Sequence, residues 1–145
     1  MKNITLLLLL ITTFISCSKS ETEAENELET PIPEELIGTW EFKGIYVHDV
    51  FDENNMPIFN AYENDDYITF NSDKTFSQLH QNYQYTGTFT VTNNNKLNFF
   101  YDSNPNGINN NGSTIISLLT ETELRLSCLQ ENYCDVARYE KVPSN

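Results

Sequence analysis

Two histidines, His48 and His80, and three cysteines, Cys17, Cys128 and Cys134, have the greatest chemical reach in this chain of 145 residues. Neither histidine stands in an H-x-H or H-E-x-x-H spacing, so both read as packing or surface residues rather than metal ligands or general bases. No G-x-S-x-G, S-x-x-K, P-loop or G-x-G-x-x-G occurs, which leaves hydrolase and nucleotide chemistry, and any cofactor, without a template. Asp49, Asp52, Glu53, Glu63, Asp65 and Asp66 crowd one connection. Paired carboxylates there could cleave glycosides, but the ordinary reading of such a run is a solvated face. Asp102 to Ile108 matches the first seven positions of an EF-hand loop, yet Ser113 stands where the closing Glu belongs, so Asn/Gly turn chemistry accounts for it. No catalytic set and no metal site is expected. Cys128 and Cys134 fall at the facing ends of two strands, where Cα atoms come within the roughly 4.4 to 6.8 Å of a disulfide. Two buried thiols are the alternative; a metal pair lacks nearby His. Tyr46, Phe51, Phe59, Tyr62, Tyr83 and Tyr133 fall near strand ends or loops, where rings can stack on a ligand or sugar, or simply cap the fold.

Charge removes one partner class. Eight Lys+Arg against 21 Asp+Glu give a net charge of -13, the opposite of the basic footprint that nucleic acid requires. The length suits one domain, and 8 Tyr, 9 Phe and 1 Trp exclude collagen, coiled coil and wholesale disorder.

The elements that would carry these residues begin with an address. Met1-Lys2-Asn3 precedes an apolar stretch, Ile4 to Ile15, that is too short for the roughly twenty residues of a membrane span and suits a signal peptide. Phe14-Ile15-Ser16-Cys17 resembles the bacterial lipoprotein signal, in which a small residue precedes a Cys that receives lipid and becomes the mature N-terminus; Phe14 replaces the usual Leu. The resemblance implies a signal peptide over 1–16, palmitate and other acyl chains on Cys17, and an outer-membrane lipoprotein on the periplasmic face or the cell surface. Two or three chains, at roughly 0.8 kcal/mol per buried methylene, moor a protein nearly permanently. Over 17–35 the chain carries seven Glu and two Pro with little apolar, which predicts an extended acidic tether. Acidic runs after the lipidated Cys also resemble surface-export signals of Bacteroidetes lipoproteins, here interrupted by Lys19.

From Leu36 onward the texture is apolar-polar alternation between turn signals, the pattern of an antiparallel all-β domain over 36–145. Strands are expected at Thr39 to Val47, Asp66 to Asn71, Thr75 to Gln81, Gln84 to Thr92, Lys96 to Tyr101, Ser113 to Leu119, Glu123 to Leu129 and Asp135 to Val142. Tight turns are expected at 71–74, 93–95 and 120–122. The long connection from Asp49 to Asp65 should fold over an opening or add a short strand, and that from Asp102 to Gly112 should be mobile. Alternation puts Trp40 with Phe42, Ile68 with Phe70, Tyr85, Gly87, Phe89 and Val91 together, Leu97, Phe99 and Tyr101 together, and Leu124 with Leu126.

Leu36-Ile37-Gly38-Thr39-Trp40 resembles the opening of the lipocalin-like domains of exported Bacteroidetes lipoproteins. So do Ile68 through Phe76, Tyr85 through Phe89, Ile116 through Leu126 and the closing Tyr139-Glu140-Lys141, with Lys74 where the family has a turn Gly. The resemblance implies a small up-and-down antiparallel barrel of about eight strands, with Gly38 and Trp40 structural at its floor. It implies a non-catalytic module for a small apolar or amphipathic ligand. The expected ligand residues are Tyr46, Phe51, Phe59, Tyr62 and Tyr83, at a shallow mouth formed by the 49–65 connection. The expected partners are a membrane, through the lipid, and that ligand; the protein is expected to be a monomer. The rival reading is a solid-core interaction protein whose loops meet another protein or a glycan.

Overall fold

The computed structural model describes residues 27–103, 111–129 and 134–143. Segments rich in Thr, Ile, Phe and Tyr suit a pleated, half-buried surface and form the strands. These are β1 Glu29–Thr30, β2 Gly38–Phe51, β3 Pro57–Ala61, β4 Tyr67–Phe70 and β5 Thr75–His80. They continue with β6 Tyr83–Thr92, β7 Lys96–Ser103, β8 Gly112–Leu119, β9 Glu123–Ser127 and β10 Val136–Lys141; a short 3-10 turn spans Glu34–Leu36. β2 and β4 to β10 each pair antiparallel with the next in that series, and β10 returns to β2, so the sheet closes. Closure into an eight-stranded up-and-down barrel removes the free edges that an open sheet would present. The eight strands anticipated from alternation are these eight, although β2 runs on to Phe51.

The barrel has two unlike ends. At the floor, tight turns join β4 to β5, β6 to β7 and β8 to β9; Lys74 and Asn95 hold positive φ of 68° and 56° there. Lys74 thus takes the left-handed conformation that a glycine would take more cheaply. Trp40, Phe70, Phe89, Leu97 and Leu124 are fully buried, and Leu36, brought underneath by the 3-10 turn, accepts the Trp40 indole N–H through its carbonyl at 2.8 Å. Lys141 closes the same end, with its Nζ 5.0 Å from the Trp40 ring centre and donating to the Glu35 carbonyl at 2.7 Å. Gly38 has φ +128°, and a Cβ there would meet Lys141 Cε at 3.0 Å, so the floor geometry requires glycine. Above the floor, edge-to-face rings fill the interior: Phe70 with Phe89 at 4.9 Å and Phe76 with Phe99 at 5.0 Å.

Residues 27–35, read from the sequence as the end of a free tether, lie instead against the floor rim. β6 overshoots the start of β5, and β1 takes up the bonds left over, pairing Glu29 with Thr92 and Thr30 with Val91. Lys96 Nζ donates to Glu27 at 2.9 Å, and Lys74 meets Glu29. Ile32 and Ile37 pack on the core.

The 49–65 connection adds a strand: β3 pairs with the outer half of β2, so β2–β3 is a hairpin that projects past the barrel. Opposite β10, β2 carries one extra residue. Tyr139 faces Phe42, but Arg138 faces Gly44, with a register shift between them. Such a bulge bends the strand and reverses which face the following residues occupy. Among the described residues no helix is long and apolar enough to cross a membrane. Cys17, the signal segment, Tyr133 and most of Asp102 to Gly112 lie outside the described residues.

Candidate functional site

The bulge decides where the expected ligand residues go. Before it, Trp40 and Phe42 face the lumen; beyond it, Tyr46 shares a face with Val136 and Arg138, on the outer wall. There the Tyr46 ring packs on Phe59 at 5.0 Å, Arg125 lies 4.4 Å over Tyr46, and Arg138 lies 5.3 Å over Phe59. Glu123 ties the two guanidiniums together, bonding Arg125 Nε at 2.5 Å and Arg138 Nε at 3.1 Å. Burial raises the Glu123 carboxyl, but hydrogen bonds from Arg125 and Arg138 outweigh it and hold the pKa below the usual carboxylate value. The result is a rigid aromatic and cationic ridge.

A hollow lies on each side of this ridge. One, of about 700 Å³, is lined mainly by apolar groups, among them Tyr46, Val47, Phe51, Met56, Leu118 and Val136, together with the polar His48, Asp49, Ser117 and Arg125. The other, of about 570 Å³, is more polar, with Glu41, Lys43, Phe59, Tyr62, Asp65 and Arg138 among its walls. The aromatics anticipated from the sequence therefore separate. Tyr46 and Phe51 line the first hollow and Phe59 and Tyr62 the second, and both hollows abut the outer wall rather than filling the lumen as a mouth. Tyr83 lines neither; it sits at the rim of the barrel opposite His80, half exposed.

The larger hollow is held by the hairpin. Asp52 Oδ1 accepts from the Asn54 and Met56 amides at 2.8 Å each, which shapes the tip, and Asp135 Oδ1 accepts from the His48 amide at 2.8 Å. Cys128 and Cys134 form the disulfide expected between the facing strand ends, with Cα atoms 6.2 Å apart, and Cys134 also lines the hollow. Phe51 and Met56 at the tip are 50% and 61% exposed, so the apolar lip of the hollow is open to solvent.

A third hollow, of about 260 Å³, opens at the true mouth of the lumen, and sequence reasoning missed it. It is lined by Phe42, Asp66, Tyr67, Gln78, Leu79, His80 and Tyr139. Asp66 is 8% exposed; it accepts from the Gln81 amide at 3.0 Å, and His80 Nδ1 lies 2.8 Å from its other oxygen. Tyr139 packs edge-on to Phe42 at 5.4 Å. Burial, with Asp66 and Tyr101 close by, pushes its phenol up to about 12. The available signal was period-two polarity: Gln78 and His80 share the inward face of β5 with Phe76. Among the described residues no group of three or more His, Cys, Asp or Glu could hold a metal ion.

A closed eight-stranded up-and-down barrel with a plugged floor is the architecture of the lipocalins. Residues 36–126 match the model of the lipocalin-like domain, and the chain belongs to that family. A lipocalin-like protein from Bacteroides uniformis has the same fold, with a TM-score of 0.53 at 13% identity over 74% of this chain and 99% of that one. A DUF4847 family protein from Bacteroides vulgatus has it too, with a TM-score of 0.51 at 18% identity over 74% of this chain and 94% of that one. No curated protein matches the chain.

Proposed function

We propose that this protein is a non-catalytic, lipid-anchored binding module of the bacterial outer membrane that takes a small apolar or amphipathic ligand under the β2–β3 hairpin. The observation that carries the reading is the 700 Å³ hollow, walled by Tyr46, Val47, Phe51, Met56, Leu118 and Val136. Its volume falls in the roughly 300 to 1,000 Å³ range of ligand sites, and apolar walls with few polar groups suit a tail with one polar end. Burying that tail also covers the exposed tip residues. Cys17 would hold the protein at the bilayer.

Native mass spectrometry of the protein purified from its host membrane tests this: a retained small-molecule adduct is expected. Phe51→Ser should weaken binding of an environment-sensitive fluorescent fatty acid by about tenfold, the worth of part of one buried aromatic side chain. Absence of any adduct, with no probe binding, would favour the rival reading. In that case the filled floor and the apolar hairpin tip belong to a surface that meets another protein or a glycan.

A further inference from the structure

The geometry points to a second binding site, separate from the hairpin hollow, in the barrel mouth: the hollow between Asp66, Gln78, His80 and Tyr139 receives a small neutral polyol of about one pyranose ring. Its volume of about 260 Å³ lies just under the range for drug-sized ligands, which limits the occupant to roughly a single ring. The walls are two-natured. Phe42 and Tyr139, 5.4 Å apart and edge to face, with Tyr67 nearby, offer apolar surface for the C–H face of a sugar. The polar groups are the Gln78 amide, the His80 imidazole and the Tyr139 hydroxyl.

The chemistry of those groups bears on the class. Asp66 accepts one bond on each oxygen, from the Gln81 amide and from His80 Nδ1, which fixes its carboxylate as a wall of the hollow and leaves further lone pairs to accept from ligand hydroxyls. Because a carboxylate can only accept, His80 donates from Nδ1, and Nε2 is the ring nitrogen left for a ligand. Gln78 supplies donor and acceptor together. No Lys or Arg lines the hollow, and the chain carries -13 overall, so an anion has nothing to meet. Tyr139 adds a third polar group: its side chain packs against the core, and its hydroxyl makes no hydrogen bond to another described residue, so a ligand hydroxyl can take it in place of water. A fatty acid tail would instead cover the Gln78 amide, His80 Nε2 and the Tyr139 hydroxyl without pairing them.

The experiment is a titration of the isotope-labelled mature protein, in sugar-free micelles, with methyl glucoside, with glucuronate and with myristate, followed by amide and side-chain NMR shifts. Methyl glucoside should move the signals of Gln78, His80 and Tyr139, and glucuronate should not. Tyr139→Phe keeps the ring and removes only the hydroxyl, and should weaken the glucoside by about tenfold. Should that variant fail to fold, Gln78→Leu carries the same expectation. Phe51→Ser should leave glucoside binding unchanged, which separates this site from the hairpin hollow. The proposal is overturned if the mouth signals stay still with the glucoside, the hollow then holding only water, or if myristate moves them in its place.

Discussion

At the scale of single residues, Trp40 and Tyr139 show how one barrel wall serves two environments. Trp40 has no exposed surface, its N–H is satisfied by Leu36 and its face is covered by Lys141. Trp40→Ala should therefore lower stability by about 3 to 5 kcal/mol in urea unfolding, because the floor cannot collapse around so large a cavity. A loss below about 1 kcal/mol would mean the indole fills no cavity. Tyr139 sits at the other end and resists ionisation. Its phenol is raised from 10.0 to about 12, chiefly by burial and then by Asp66 and Tyr101, so the folded protein keeps a proton that the unfolded chain releases near 10. Between those values the unfolded state binds fewer protons, and stability must fall as pH rises. Unfolding free energies measured across that window should show the decline, and Tyr139→Phe should reduce its slope. Some slope will persist, because burial and the neighbouring Tyr85 also raise Tyr101.

At the scale of elements, the hairpin depends on Gly44. Its φ is +143°, and a Cβ would lie 2.1 Å from the Asn60 carbonyl oxygen and 2.9 Å from the Phe59 ring. Gly44→Ala must push β3 away from β2, whereas the barrel keeps the β2–β10 and β2–β4 ladders. Amide exchange should accelerate across Pro57–Ala61 while the floor strands stay protected, and fatty-acid probe binding should fall with it; a uniform loss of protection would show instead that the bulge supports the whole barrel. The same glycine explains what could and could not be read from the sequence. The eight wall strands were legible because each alternates with period two between turn residues, and the alternation alone placed Phe70, Phe89, Leu97 and Leu124 inside. β1 and β3 were not legible. β1 is two residues in an acidic run, created only because β6 extends beyond β5, and β3 carries no buried face of its own. That Tyr46 lies on the outer wall was not legible, because a single extra residue on β2 turns it outward, a change set by pairing with β10 and invisible in the local pattern. The mouth site was legible in part: Gln78 and His80 interrupt an inward apolar face, but Asp66 and Tyr139 join them only through closure.

At the scale of the whole molecule, the docked segment would give the barrel a direction relative to the proposed anchor at Cys17. The chain leaves the fold at the floor rim, where Glu27 meets Lys96 and the Asn93 amide donates to the Leu28 carbonyl at 3.1 Å. From Cys17 to Glu27 it can span at most about 35 Å when fully extended, so a lipid on Cys17 would keep the floor close to the bilayer. The hairpin tip and the lumen mouth, at the other end of the strands, then face away from the membrane and toward solvent. Cysteine chemistry makes this measurable. Cys128 and Cys134 are joined to each other, and acylation would consume Cys17, so one introduced cysteine carries the dye alone. In vesicles containing an acceptor lipid, a dye on Asn94→Cys at the floor should transfer energy more efficiently than one on Asn54→Cys at the hairpin tip. Cys17→Ala should abolish both signals by releasing the protein from the membrane fraction. Equal transfer from the two positions would mean that the Glu27–Lys96 and β1 contacts come loose in the anchored protein. Retention of the Cys17→Ala variant on membranes would remove the lipid as the anchor.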